Sequence, residues 1–311
     1  MYKRFHITVV IPCYNEERFI GQTVSCIPSL VDVILVIDDC SQDGTSRAAE
    51  SLNDKRVVVL KTACNQGVGG ATMLGYQKAL EIGSDIVVKM DGDGQMSPEY
   101  LPDLLDPIAE DGYMYTKGNR FLCPEALPHM PRHRLFGNVV LTFMNKLSSG
   151  YWHIFDPCNG YTAISTEILR KLDMSAIHKR YFFESDMLIQ LNWSRALVKD
   201  VPMKAKYGGE ESGLNPLKIG FTFPFLMLRK FFYRVYKKYV LIDFSPIALF
   251  LFLGLTLFCG GTLFGLYLWI RSLITENPTP VGTIMLALVP MILGFQLLLQ
   301  AIVLDIQDTP R

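Results

Sequence analysis

Short runs of Val and Ile recur through the first 120 residues, separated by segments with helical spacing. Ile7–Ile11, Val33–Ile37, Val57–Leu60, Ile86–Met90 and Met114–Lys117 are predicted strands, and Ala48–Leu52, Ala71–Ile82 and Pro98–Ile108 predicted helices. The strands are apolar throughout rather than alternating. That is the pattern of a parallel sheet covered by helices on both faces, an α/β fold. Farther on, Leu135–Leu147 has the spacing of an amphipathic helix. The pattern then changes: Ile247–Ile270 and Val281–Leu304 are each 24 residues without a charge. About 20 apolar helical residues cross the hydrocarbon layer, and a buried helix of a soluble core rarely needs such a run. Both segments are read as transmembrane spans. The connector Arg271–Pro280, with Asn277-Pro278-Thr279-Pro280 as its turn, makes them a hairpin.

Composition agrees with this division. At roughly 100–200 residues per domain, the 311 residues hold one domain and an appendage. Half the residues are hydrophobic and the mean hydropathy is +0.22. Charge is balanced, 30 basic against 30 acidic, so no global basic field exists to hold a nucleic acid. Seven cysteines without a Cys-x-x-Cys pair read as reduced thiols in a cytosol. Ile7–Ile11 is too short for a signal-peptide core. Arg229, Lys230, Arg234, Lys237 and Lys238 precede the first span, whereas the hairpin holds only Arg271. The positive-inside bias therefore places the N-terminal part in the cytoplasm. Phe221–Tyr239 mixes those five cations with aromatic and aliphatic residues and reads as an interfacial segment with its cations toward lipid phosphates. The expected organisation is a catalytic domain over 1–212, a juxtamembrane segment over 213–243 and a two-span region over 244–311.

The unusual residues collect after the strands. Pro12-Cys13-Tyr14-Asn15-Glu16-Glu17 follows the first, and Asp38-Asp39-Cys40-Ser41-Gln42-Asp43-Gly44-Thr45 the second. Asn65-Gln66-Gly67-Val68-Gly69-Gly70 follows the third, and Asp91-Gly92-Asp93-Gly94-Gln95 the fourth. Any one of these is an ordinary strand-to-helix turn with Asp or Asn caps and Gly. Four on one sheet edge, where open α/β sheets bind ligands, point to a site. Asp91 and Asp93 are the sharpest signal. Two carboxylates at one strand end repel unless a hard divalent cation with oxygen ligands joins them. Mg²⁺ or Mn²⁺ held there can also bind a diphosphate and neutralise it as it leaves. No Gly-x-x-x-x-Gly-Lys-Ser/Thr loop is present, and no Gly-x-Gly-x-x-Gly follows the first strand. Those absences count against a P-loop ATPase and a dinucleotide dehydrogenase.

Together, Val9-Val10-Ile11-Pro12-Cys13-Tyr14-Asn15-Glu16, Val36–Thr45, Asn65-Gln66-Gly67 and Met90–Gln95 followed by Pro98-Glu99 resemble family 2 glycosyltransferases of the GT-A fold over roughly residues 5–210. Within that family the chain resembles the polyprenyl-phosphate branch, dolichol-phosphate mannose synthases and bacterial undecaprenyl-phosphate glucosyltransferases. The resemblance implies transfer of one sugar, with inversion, from a nucleotide sugar to a polyprenyl phosphate at a bacterial plasma membrane. UDP-glucose and undecaprenyl phosphate are the expected pair. It implies that Pro12, Tyr14, Glu16 and Asp39, with Asn65 and Gly67, line the nucleotide pocket. Asp91 would meet the ribose or the metal, and Asp93 and Gln95 the metal and diphosphate. Arg120 matches a family arginine near the acceptor phosphate, and Arg132 and Arg134 fall where the family keeps acceptor-loop cations. Two departures stand out. Asp91-Gly92-Asp93-Gly94-Gln95 replaces a common Asp-Ala-Asp-Leu-Gln. Asp156-Pro157-Cys158-Asn159-Gly160-Tyr161-Thr162 replaces Asp-x-x-Ser-Gly-Phe-Arg and so lacks its arginine. The Gln-x-x-Arg-Trp signature of processive synthases is absent.

Charge sets the remaining expectations. The leaving diphosphate gains negative charge, which a metal at Asp91/Asp93 stabilises. The sugar ring gains positive charge, which a carboxylate stabilises as in glycosidases; Asp156 is the candidate, with Asn159 and Gly160 shaping the sugar pocket. A phosphate acceptor is already anionic near pH 7, with a second pKa of about 6. It needs cations more than a base: Arg120, Arg132, Arg134 and Lys206. Glu184 and Asp186 sit at a predicted helix start, where carboxylates suit the helix dipole or serve as base or sugar ligand. A hydroxyl-acceptor enzyme would need a true base, Asp156 or Asp186. A non-enzymatic scaffold would have no use for Asp91/Asp93. Gly254, Gly260, Gly261 and Gly265 permit packing between chains, and hence a homo-oligomer.

Overall fold

In this computed structural model, which describes residues 1–122, 132–156, 159–204 and 216–310, the first apolar run becomes β1 (Ile7–Cys13), buried at every residue. The chain continues through α1 (Ile20–Ser25), β2 (Val33–Asp38), α2 (Thr45–Glu50), β3 (Val57–Lys61), α3 (Val68–Ile82) and β4 (Ile86–Lys89). After a 3₁₀ turn come α4 (Leu101–Ala109), β5 (Tyr115–Asn119), α5 (Arg132–Ser149), β6 (Thr162–Ser165), α6 (Thr166–Leu169), α7 (Phe183–Trp193), β7 (Val198–Pro202) and α8 (Pro216–Tyr236). Then follow α9 (Pro246–Thr275) and α10 (Val281–Gln307). The five predicted strands and the predicted helices all form, with ends shifted by a few residues. The chain divides into two compact units, Met1–Lys230 and Phe231–Thr309.

In the first unit seven strands form one sheet in the order β3-β2-β1-β4-β6-β5-β7. β1 pairs in parallel with β2 and β4, while β6 runs antiparallel between β4 and β5. This is a mainly parallel sheet with helices on both faces. Ile7, Val9, Ile11, Ile34 and Val36 pack on one face with Leu101, Leu104 and Leu105 of α4. Val10, Leu35, Ile37 and Val87 pack on the other with Tyr76 of α3 and Met187 and Leu191 of α7. The alternation inside each strand fills both layers, so no face is left polar. Strands β6 and β7 are the two that the apolar pattern does not announce. They are four and five residues long and carry Thr162, Ser165, Lys199 and Asp200. They become strands by pairing with β5.

The second unit is an antiparallel helix pair with the end of α8. Ser245 caps α9, its Oγ accepting from the Ile247 amide at 3.4 Å, with Pro246 in the first turn. Ile247, Gly254, Gly261 and Leu268 face inward at seven-residue spacing, as do Ala287, Gly294 and Ala301 of α10. Such a repeat gives one continuous seam. The backbones approach closely there, because a Cβ on Gly261 would lie 2.7 Å from the Ala287 carbonyl oxygen. The glycines expected to mediate contacts between chains thus serve this hairpin at 254 and 261, whereas Gly260 meets nothing within 4 Å. Large apolar side chains point outward: Phe252, Leu263, Trp269, Ile274, Leu286 and Phe295 are all more than half exposed. Small residues inside and bulky apolar ones outside is the arrangement suited to lipid. Both helices are long and apolar enough to span a bilayer.

The juxtamembrane cations do not all face outward as expected. Lys230 pairs with Asp186 at 2.6 Å in the first unit. In the second, Arg234 is fully buried and meets both oxygens of Asp305 at 2.7 and 3.0 Å. Lys238 pairs with Asp308 at 2.7 Å, and the Tyr239 hydroxyl lies 2.6 Å from Asp305 and 3.0 Å from Asp308. The carboxylates that recruit these cations lie far away in sequence, which is why local pattern misassigned them.

Candidate active site

The strand order reverses between β1 and β4. In open α/β sheets that reversal opens a crevice beyond the carboxyl ends of the strands. The turns leaving β1, β2 and β4 meet there, and each holds the next. The Asn15 side-chain oxygen accepts from the Gln42 amide at 2.9 Å, and Glu17 from the Gly44 amide at 3.0 Å. Ser41 Oγ accepts from the Asn15 amide at 3.0 Å, and Thr45 Oγ1 from the Glu16 amide at 2.9 Å. Pro12 is buried at the end of β1 beside Ile37, and Tyr14 projects with 43% of its surface exposed. The Glu16 carboxylate lies directly against Gly92, where a Cβ would displace it.

Asp38 and Asp39 each hold a turn of the chain. Burial works to push Asp38 up. The Ser41 amide at 2.8 Å, the Ser46 hydroxyl and Lys61 at 3.7 Å outweigh it and hold the carboxyl below its usual value. Asp39, expected in the nucleotide pocket, is buried with both oxygens engaged. Oδ1 accepts from Thr62 Oγ1 at 3.0 Å and the Gln66 amide at 2.9 Å, and Oδ2 from the Gly67 amide at 2.7 Å. It shapes the Asn65-Gln66-Gly67 turn, in which Asn65 is exposed. Gly67 has φ +84°, and a Cβ there would lie 2.8 Å from the Lys179 carbonyl oxygen. Only glycine suits that position.

The turn after β4 carries the acidic pair. Asp93 Oδ1 accepts from the Gln95 amide at 2.9 Å, and Thr23 Oγ1 donates to the Gly92 carbonyl at 3.0 Å. Asp91 Oδ1 lies 2.6 Å from Nζ of Lys89, a lysine that is only 1% exposed. The same ammonium is 3.5 Å from Glu184 Oε1 on α7 and sits over the Phe183 ring. Burial alone would push Lys89 down, but the two carboxylates reverse that and hold it above its usual value, so it is a cation. Gly160 closes this corner, with space for a Cβ taken by Lys89 and by Asp91 Oδ2. The neighbouring Asn159 carbonyl accepts from Lys117, a second fully buried lysine. Lys89 and Lys117 both stand opposite Thr162 of β6, one on each side.

Asp156 and Arg120, expected apart at sugar and acceptor phosphate, are one ion pair. Asp156 is 1% exposed and receives Arg120 Nε at 2.8 Å, Nη2 at 3.1 Å and the Arg120 amide at 3.2 Å. Glu184 and Asp186, expected as a pair, diverge. Glu184 turns to Lys89. Asp186 is fully buried, paired with Lys230 and accepting from the His178 amide at 2.9 Å. Its carboxylate fastens α8 through Lys230. α5 starts at Arg132; the side chains of Arg132 and Arg134, and all of Lys206, lie outside the described residues.

Among the described residues no three His, Cys, Asp or Glu side chains converge as a ready-made metal cage. A two-carboxylate turn with an amide side chain nearby still suits Mg²⁺ or Mn²⁺. Hard cations are held by one or two carboxylates and complete their shell with phosphate oxygens. The residues that sequence reasoning missed are the buried lysines. Their signal was present: a lysine inside Ile86-Val87-Val88-Lys89-Met90 is a buried charge that needs a partner.

The model of glycosyl transferase family 2 matches residues 8–173. The chain is 33% identical over 216 residues to UDP-N-acetylglucosamine–dolichyl-phosphate N-acetylglucosaminyltransferase of Methanococcus voltae, covering 65% of this chain and 86% of that one. It is 31% identical over 205 residues to undecaprenyl-phosphate mannosyltransferase of Micrococcus luteus, covering 63% and 82%. Among solved structures it resembles glucosyl-3-phosphoglycerate synthase of Mycobacterium tuberculosis in complex with Mn²⁺, UDP-glucose and phosphoglyceric acid. That match has a TM-score of 0.56 at 22% identity, over 74% of this chain and 80% of that one.

Proposed function

This chain belongs to glycosyl transferase family 2, and we propose that it is a membrane-bound enzyme moving one sugar from a nucleotide sugar to a polyprenyl phosphate. The observation that carries the reading is the Asp91–Asp93 turn at the β1/β4 switch, in a chain that also bears two lipid-suited helices. Relatives named for dolichyl-phosphate and undecaprenyl-phosphate transfer support the acceptor. A neighbour solved with Mn²⁺ and UDP-glucose supports the donor and metal. UDP-glucose, undecaprenyl phosphate and a cytoplasmic catalytic unit at a bacterial plasma membrane are the finer reading.

In that reading Pro12, Tyr14 and Glu16 receive the base and ribose, beside the turn that Asp39 shapes. Asp91, Asp93 and Gln95 would hold Mg²⁺ or Mn²⁺, which when bound supplies positive charge for the leaving diphosphate. Asn159 and Gly160 wall the sugar side. Arg120, oriented by Asp156, meets the acceptor phosphate together with Arg132, Arg134 and Lys206. The acceptor oxygen attacks the anomeric carbon as the nucleoside diphosphate departs, and the configuration inverts. The acceptor is already anionic, so no residue has to remove a proton, and Glu184 is left to balance Lys89.

The test is transfer from radiolabelled UDP-glucose, UDP-N-acetylglucosamine and GDP-mannose to undecaprenyl phosphate in detergent, with Mg²⁺, Mn²⁺ or EDTA, for wild type and Asp93→Ala. A metal-dependent lipid product, lost in the variant, is expected. Transfer to a hydroxyl-bearing glycolipid, with no lipid-phosphate product from any donor, would overturn the acceptor assignment.

A further inference from the structure

Lys89 is an odd choice for the last position of a fully buried strand. A buried ammonium is costly unless paired, and an apolar residue would continue Ile86-Val87-Val88 without that cost. The pairing it makes is specific. Nζ reaches Asp91 Oδ1 at 2.6 Å and Glu184 Oε1 at 3.5 Å, and Gly160 leaves just enough room for it. Two carboxylates from separate elements, the β4 turn and α7, therefore share one cation. The trio carries a single net negative charge.

We propose that Lys89 is a positioning residue that sets the charge of the donor turn: it fixes Asp91 and cancels part of its charge, so that the turn holds a divalent cation weakly alone but tolerates the diphosphate that arrives with it. This rests on the nucleotide-sugar reading above. The reasoning is electrostatic. A positive charge 2.6 Å from a metal-binding carboxylate opposes the cation and favours the anion. Removing it must shift the two affinities in opposite directions. A merely structural lysine, lost, would weaken both.

The measurement is Mn²⁺ binding to the full-length protein in detergent by electron paramagnetic resonance, alone and then with UDP titrated at saturating Mn²⁺. Lys89→Met is expected to bind Mn²⁺ alone about tenfold more tightly and UDP about tenfold more weakly, a change on the order of one partly screened charge interaction. Lys89→Met/Glu184→Gln restores the net charge and is expected to bring both constants back to within about threefold of wild type. Should the single variant fail to fold, since removing one partner of a buried pair is costly, Glu184→Gln gives the mirror test, with weaker Mn²⁺ and tighter UDP. Constants that move together, or not at all, overturn the proposal. If wild type binds no UDP with Mn²⁺, the nucleotide reading fails instead, while the Mn²⁺-alone comparison still decides the role of Lys89.

Discussion

Each unit of this protein contains a buried ionic cluster, and the two differ in one respect. In the second unit, Arg234 and Lys238 face Asp305 and Asp308, two cations against two carboxylates, with the Tyr239 hydroxyl between them. In the first, among the described residues, one cation, Lys89, faces both Asp91 and Glu184. Among the described residues the balanced cluster's charges match, and it joins the end of α8 to the end of α10. The unbalanced one has negative charge left over at a sheet edge that open α/β folds use for ligands. The contrast gives a rule for reading buried charge: a cluster that neutralises itself serves the fold, and one that does not is set up for a charged visitor.

The sharpest way to break the comparison is to unbalance the balanced cluster. Arg234→Met takes the paired cation from the buried Asp305, and loss of about 3–5 kcal/mol is expected, read as a fall in Tm in detergent. Arg234→Met/Asp305→Leu should recover most of it, because an apolar pair of similar volume replaces a buried ion pair at little cost. If the double variant is as unstable as the single one, the cluster does more than neutralise itself. At the unbalanced site, Asp93→Ala is expected to lower sugar transfer by about 10²–10³-fold with Tm nearly unchanged. A large Tm loss there would make the turn structural and erase the contrast.

Asp200 supplies an intermediate case. Oδ2 accepts from Asn119 Nδ2 at 2.6 Å and the Phe155 amide at 2.9 Å, yet burial outweighs these and pushes the carboxyl up to about 6. The unfolded value is near 4. The folded protein therefore binds a proton that the unfolded chain releases between those values. The stability this group lends is present below pH 4 and is lost as pH rises through 6. Asp200→Asn should raise stability by roughly 2 kcal/mol at pH 7.5 and by little at pH 4. Equal shifts at both pH values would show that the group is not perturbed. Smallest is the helix seam. Gly261→Val should cost about 1–3 kcal/mol by overpacking against Ala287, while Gly260→Val, with open space around it, should leave thermal stability in detergent unchanged.

Much of the site was legible before folding was considered, because the signals were local. Asp91 and Asp93 are two residues apart at a strand end, and a five-residue turn keeps them together whatever the rest of the chain does. Asp156 and Arg120 each carry a local signal, but their pairing joins positions 36 residues apart. Asp186 read as half of a helix-start pair because neighbouring residues share a local environment in sequence. In space α7 turns Glu184 to Lys89 and Asp186 to Lys230. The amides that Asp39 accepts from belong to a turn some 27 residues away, which its local sequence does not show.

The sequence by itself determined the class of sheet, the two long apolar helices, the acidic turn and the family. Each depends on hydrophobic periodicity or on side chains within a few positions of one another. The tertiary structure alone decided which charges oppose which. Coulomb energy depends on distance in space and on burial, and neither is written in the spacing of residues along a chain. Lys89 and Arg234 are both cations among apolar neighbours in the sequence, but one meets two carboxylates at the sheet edge and the other meets Asp305 between α8 and α10.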